Sequence, residues 1–447
     1  MTSTTAPSPS DAPAPLTHRK VWAIAGPIIL SNTTVPLLGV VDTAVAGRLG
    51  AVYFIGAVAV GGTIFALLYW SFGFLRMGTA GLTAQAHGAR NDREVQAALI
   101  RALLVSGLMG VVLIALQWPL AELMFPLMDA SQEVEDWSRV YFSIRIWGAP
   151  AALANYALVG WFVGLGRTRM VLVLQLFQNG VNIVLSIALG LGAGWGVTGI
   201  AFGTLIAEWG TALLGLYVVW RMVRGQAHPD RAHILSREGL LKTFLINRDI
   251  MIRSVLLTIA FAWFIREGAR IDDLTLAANQ VLLQLFELTV YALDGFAFTA
   301  ESLVGQAVGA GTVRAFDRAT WLTSLWAGIC ALVGSLAFYL FGGLMIDAMA
   351  EQESVRAAAR VYLPWAAIAP MIGIAAFQLD GIFIGATRGA DMRNAMIQSF
   401  VIYVVALLVL KASFGNHGLW AALMVFFIAR GITLWLYYPR LRASITA

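Results

Sequence analysis

Twelve stretches of the chain are mostly apolar, and each is ended by charge or by a cluster of Gly and Pro. They fall near 21–47, 53–75, 96–118, 138–163, 170–191, 196–221, 245–265, 274–300, 317–343, 358–384, 395–411 and 418–438. Crossing ~30 Å of hydrocarbon takes about 20 helical residues, and a lipid-exposed span must satisfy its backbone internally. The pattern therefore predicts an all-α polytopic membrane protein with twelve transmembrane helices. Composition agrees: 59% of residues are hydrophobic and 12% charged, against roughly 25% charged in a soluble domain. One cysteine, Cys330, excludes a disulfide scaffold, and no polar stretch is long enough for a soluble nucleotide-binding domain.

Residues 1–20 are expected to form a disordered cytoplasmic tail. They lack the basic start and small-residue cleavage site of a secretory signal, and 21–47 is too long for a signal core. With that end inside, the cytoplasmic ends of the spans hold 19 of the 30 Lys and Arg residues, among them Arg90, Arg93, Arg167, Arg169, Arg314 and Arg388. The opposite side holds seven, beside acidic loops at Glu133, Glu135, Asp136, Glu351 and Glu353. This bias places both termini in the cytoplasm. It also accounts for the net charge of +5, so no nucleic-acid partner is expected.

A repeat underlies the twelve spans. An offset of 221 places Gln85, Ala86, Gly88, Ala89 and Arg93 on Gln306, Ala307, Gly309, Ala310 and Arg314, and Gly160, Phe162 and Gly164 on Gly381, Phe383 and Gly385. An even number of spans per half makes the halves parallel repeats about an axis along the membrane normal. The expected organisation is a six-helix lobe at 21–221, a cytoplasmic linker at 222–244, a second pseudo-symmetric six-helix lobe at 245–438 and a cytoplasmic tail at 439–447. Such lobes suit alternating access around a central cleft.

Ionisable groups in hydrocarbon are costly and usually face protein or water. Six carboxylates lie at membrane depth: Asp42, Glu208, Glu287, Asp294, Glu301 and Asp380. The structural alternative for each is a pairing with Arg76, Arg145, Arg253 or Arg430, which lie near or inside spans. On the eighth span Gln280, Gln284, Glu287, Tyr291, Asp294, Phe298 and Glu301 recur at spacings of four and three, hence on one helical face. The stripe rises about 31 Å, the full hydrocarbon depth, and is expected to line a hydrated cavity that receives substrate, with Asp380 nearby. In the first lobe, Asp42 sits in the outer half of a span whose Pro27 and Pro36 each remove a backbone hydrogen bond and permit bending. Asn182 and Ser186 share a face, as do Thr204 and Glu208. That cluster can hold a proton-linked water chain or a cation, or serve only as interhelical hydrogen-bond glue.

No His-Glu-x-x-His spacing, nucleophile elbow or phosphate-binding loop occurs, so an enzyme is not expected. Without a nucleotide site, uphill transport must draw on an ion gradient, and no cofactor is expected beyond a proton or sodium ion.

Several segments resemble the multidrug and toxic compound extrusion (MATE) family, nearest its DNA-damage-inducible protein F (DinF) branch. These are VPLLGVVDTAVAG at 35–47, the loop LRMGT at 75–79 running to TAQAHGA at 83–89, LDGFA at 293–297 with AESLVGQ at 300–306, and LDGIFIG at 379–385. The resemblance covers about residues 20–440. It implies a monomeric antiporter of the bacterial inner membrane that exports lipophilic, often cationic small molecules in exchange for protons or sodium ions. By position Asp42 matches the aspartate proposed to carry the coupling ion, Pro27 the proline at which that helix is proposed to bend, and Asn182 and Thr204 further polar members of the network. Ser186 departs from the pattern, since relatives often have a second aspartate there; either Glu208 substitutes or Asp42 works without an acidic neighbour. Two rivals stand beside this reading: a lipid-linked precursor flippase, which needs an arginine-rich cleft, and a membrane-embedded enzyme.

Overall fold

The computed structural model describes residues 16–445, which are helical almost throughout and contain no strand. The spans are α1 His18–Gly47, α2 Val52–Gly88, α3 Asp92–Ala115, α4 Gln132–Gly164, α5 Thr168–Gly192 and α6 Gly196–Val223, followed by α7 Arg237–Ala269, α8 Asp273–Gly309, α9 Val313–Met349 and α10 Glu353–Gly385. The last helical segment, Gly389–Ala443, is 55 residues long and reverses at Gly415, whose φ of 55° favours glycine. Ser399 on one side of that turn hydrogen-bonds Thr433 on the other at 2.9 Å, so the segment is a hairpin of α11 (389–414) and α12 (416–443). Arg248, Asp249 and Arg253 make α7 too polar to stand out by hydropathy, yet it packs against α2 and against the α11–α12 hairpin. Short helices lie at Gln117–Met124, Phe125–Met128 and Arg231–Ile234.

Polar residues before the helices set their starts. The Thr17 hydroxyl accepts from Lys20 N, Asn91 from Glu94 N and Asp272 from Thr275 N, each satisfying an otherwise orphaned donor of a first turn. Asp272 is thus a helix cap rather than a merely solvated loop acid. These caps also correct several expected boundaries. Residues 18–20 belong to α1 instead of a tail, and residues 1–15 and 446–447 lie outside the described residues. Only 224–236 separates α6 from α7, so the expected linker 222–244 is shorter at both ends. The acidic run Glu133–Asp136 opens α4, where negative charge suits a helix N-terminus.

The stretch expected as a loop at 75–89 is instead the continuation of α2 after three turn residues at 71–73, and His87 lies in its last turn. Hydropathy fails there because the buried residues are Gly78, Thr79, Ala80, Gly81 and Ala84, which face neighbouring helices rather than lipid.

Repeated contacts at the 221 offset show the two-lobe symmetry. Gly88 packs on the Gln306 carbonyl and Gly309 on the Gln85 carbonyl; Gly160 packs on Arg76 O and Gly381 on Ala297 O. Gln85 Nε2 donates to Gly385 O at 3.1 Å and Gln306 Nε2 to Gly164 O at 3.0 Å. The reversals after α2 and α8 match as well: Asn91 N bonds Ala86 O and Thr312 N bonds Ala307 O. Both termini lie at one end of the bundle, where Arg442 pairs with Asp317 at the start of α9 and Arg318 donates to Leu16 O.

Candidate functional site

The six membrane-depth carboxylates divide into two groups. Three are held by arginine. Arg76 makes a bidentate pair with Glu301 at 2.9 and 3.2 Å, Arg145 Nη2 donates to Glu208 Oε1 at 2.9 Å, and Asp380 Oδ2 accepts from both Arg253 and Arg430. All three carboxylates are buried. Among the described residues, Asp42, Glu287 and Asp294 pair with no arginine or lysine.

Asp42 is half-buried in α1, and its Oδ1 accepts from Ser186 Oγ on α5 at 3.1 Å. At Ser186 the helix widens into π-helical turns that continue to Gly192, a distortion that frees backbone groups and recurs at functional positions. Gly203 on α6 makes room for it, since a Cβ there would sit 2.9 Å from Ser186 N. One turn earlier on α5, Asn182 Nδ2 donates to Thr204 Oγ1 at 2.8 Å, while the buried Asn182 Oδ1 has no partner. Asp42, Ser186, Asn182 and Thr204 therefore form one polar seam between α1, α5 and α6. Glu208 lies one turn beyond Thr204 but is bonded to Arg145, whose guanidinium stacks 4.5 Å from the Phe65 ring. Pro27 and Pro36 both lie within a continuous α1. Sequence spacing had no means of finding Arg145 as the partner, 63 residues away and on α4.

Along α8 the polar stripe changes environment with depth. Gln284 and Glu287 are exposed, Gln280, Tyr291, Asp294 and Phe298 are half-buried, and Glu301 is 1% exposed. Its lower members face the first lobe. Asn32 donates to Tyr291 O at 3.3 Å, Gly295 packs on Ile29, and Phe298 lies 3.8 Å beneath the Arg76 guanidinium. Among the described residues, every hydrogen bond and ion pair between the lobes lies from mid-span toward the end bearing the termini: Asn32–Tyr291, Arg76–Glu301, Gln85–Gly385, Gln306–Gly164 and Arg318–Leu16 among them. Toward the other end the lobes share none, and the stripe emerges there.

Comparison with known proteins decides the kinship. The MatE family model matches residues 27–188 and again 250–410, once in each lobe. The chain belongs to the MATE family. This MATE protein is 38% identical over 423 residues to the DNA damage-inducible protein F of Escherichia coli K12, covering 93% of the chain and 91% of that relative. It is 26% identical to a probable multidrug resistance protein NorM of Idiomarina loihiensis, over 86% of the chain and 83% of the relative. A solved outward-facing multidrug resistance MATE transporter of the MOP superfamily superposes with a TM-score of 0.85 at 19% identity, covering 96% of each chain, which establishes the shared fold. As a MATE protein the chain is a multi-pass membrane transporter of small molecules rather than an enzyme.

Proposed function

We propose that the protein exports lipophilic cations in exchange for protons, with Asp42 as the coupling carboxylate. The observation that carries this reading is the division of the acids: Asp42, Glu287 and Asp294 have no cationic partner and border the space between the lobes, whereas Glu208, Glu301 and Asp380 are bound to arginine. A carboxylate without a counterion at membrane depth is available to a cationic substrate or a proton, and holding both at once is disfavoured. Arg76, Arg145, Arg253 and Arg430 each spend their charge on a carboxylate, which supports a cation-receiving cleft over the arginine-rich cleft that a lipid pyrophosphate needs.

In this reading the end bearing the termini faces the cytoplasm of a bacterial inner membrane, the monomer is the working unit, and the cleft is open to the outside. Protonation of Asp42 removes the charge that holds the cation. α1 then shifts where Pro27 leaves the Ala23 carbonyl without an intrahelical donor, the cation departs, and rocking of the lobes returns the site to the cytoplasm. Proton coupling is favoured over sodium because Glu208 is committed to Arg145, leaving Asp42 as the single free carboxylate of the first-lobe seam.

The test is efflux of a fluorescent cation from vesicles under imposed gradients. A proton gradient should drive export by the parent protein, and Asp42→Asn should abolish that driven component. Export by Asp42→Asn at the parent rate refutes the assignment, and export driven by sodium alone refutes the proton.

A further inference from the structure

A cavity of about 620 Å³ opens at the end of the bundle that bears the termini, between α1, α2, α5 and α6. Its polar lining is basic: Lys20 from α1, His87 from the last turn of α2, and Arg167 and Arg169 at the start of α5. All four are exposed, and among the described residues none has a carboxylate partner within ion-pair distance. No Asp or Glu lines the cavity; Asp92, at the start of α3, acts on His87 from outside it. The deeper wall is apolar, formed by Ile24, Val218 and Met222. Thr168 Oγ1 donates to Ile24 O at 2.8 Å and is 1% exposed, so the two basic residues flanking it are fixed against α1.

The asymmetry of the two lobes separates this feature from the general excess of basic residues at span ends. At the 221 offset, Lys20, His87 and Arg169 correspond to Leu241, Val308 and Ala390, and only Arg167 keeps a basic counterpart, Arg388. Orientation in the membrane is served by arginines anywhere along these ends. Clustering three cations and a histidine around one cavity with an apolar wall is a further requirement, and it is met in one lobe only. Basic pockets between transmembrane helices at the membrane surface suit lipid phosphates, whose acyl chains need an apolar flank.

We propose that this cavity binds the phosphate headgroup of an anionic phospholipid, with Lys20, Arg167 and Arg169 supplying the countercharge and Val218 and Met222 flanking the glycerol and upper acyl chain. Gln306, from the second lobe, completes the lining while its amide donates to Gly164 O. The bound lipid therefore touches both lobes where they meet, and favours the arrangement in which this end is closed. Only the leaflet that supplies the lipid rests on the orientation proposed above; binding itself does not depend on the transport reading.

The experiment is native mass spectrometry of the full chain in detergent, titrated separately with phosphatidylglycerol, phosphatidylcholine and inorganic phosphate. Phosphatidylglycerol should bind about tenfold more tightly than phosphatidylcholine, and Lys20→Gln/Arg167→Gln/Arg169→Gln should erase that preference, as expected when countercharges at the membrane surface are removed. Arg314→Gln/Arg388→Gln, which removes charge from the same end of the other lobe, should keep it. Val218→Trp fills the cavity without changing charge and should weaken phosphatidylglycerol binding. A preference that survives the triple substitution, or is untouched by Val218→Trp, overturns the site. Inorganic phosphate that binds alone and displaces the lipid shows a free-anion site and overturns the assignment to lipid.

Discussion

Asp42 and Glu208 are carboxylates of the same lobe whose different company sets different consequences for their removal. Glu208 and Arg145 form a buried pair, with side chains 4% and 12% exposed. Removing one partner of such a pair leaves an uncompensated charge and costs about 3–5 kcal/mol, whereas replacing both by apolar residues is often neutral. Arg145→Met should therefore lower the thermal unfolding midpoint in detergent strongly, and Arg145→Met/Glu208→Met should recover most of the loss; equal losses would mean that the pair is not the source. Asp42 loses only the Ser186 hydrogen bond on substitution, about 1 kcal/mol. Asp42→Asn should thus unfold within a few degrees of the parent protein while losing gradient-driven export. The six acids were legible in the sequence because charge inside an apolar span stands out. Which of them would be neutralised was not, since Arg76 and Glu301 are 225 residues apart and Asp380 lies 50 residues from Arg430. Spacing along one helix gives faces, whereas the partner across a helix interface is decided by packing.

At the scale of the helix, glycines determine how closely the polar seam can be drawn together. Gly203 holds α6 against the widened turn at Ser186, and a methyl there would sit 3.1 Å from Ser186 Oγ. Overpacking of this kind typically costs about 1–3 kcal/mol, and here the displaced group is the donor to Asp42. Gly203→Ala should depress export more than it depresses thermal stability. Gly107, on α3, has open space where its Cβ would go, so Gly107→Ala should leave export intact and raise stability by about 0.5–1 kcal/mol. Equal effects of the two substitutions on export would break the link between α6 packing and the seam. The α8 stripe was readable because spacings of four and three mark one helical face. The second half of α2 was not, because its small residues face protein and carry little hydropathy, and the π-helical turns after Ser186 leave no pattern that spacing detects.

Across the whole molecule, the two lobes meet through near-twofold contacts, and Arg76–Glu301 is the exception to that symmetry. The 221 offset was visible in motifs such as Gln85–Gly88 and Gln306–Gly309, and those residues turn out to pack on one another. By the same offset Arg76 corresponds to Ala297 and Glu301 to Ala80, so the ion pair exists once, on one side of the axis. Glide of one lobe against the other has little to hold it at the paired glycines, which offer close approach without directional bonds. A bidentate guanidinium–carboxylate pair is directional and strong, and this one must break whenever the lobes part at this end. Arg76–Glu301 is therefore expected to act as the latch of the closed arrangement. Ser302, fully buried beside it, supplies a reporter: with Cys330→Ala as background, Ser302→Cys should react slowly with a membrane-impermeant thiol reagent. Adding Arg76→Ala should accelerate labelling several-fold, and the exchange Arg76→Glu/Glu301→Arg, which restores a pair with reversed polarity, should slow it again. Labelling that is insensitive to Arg76→Ala would assign closure to the glycine contacts alone.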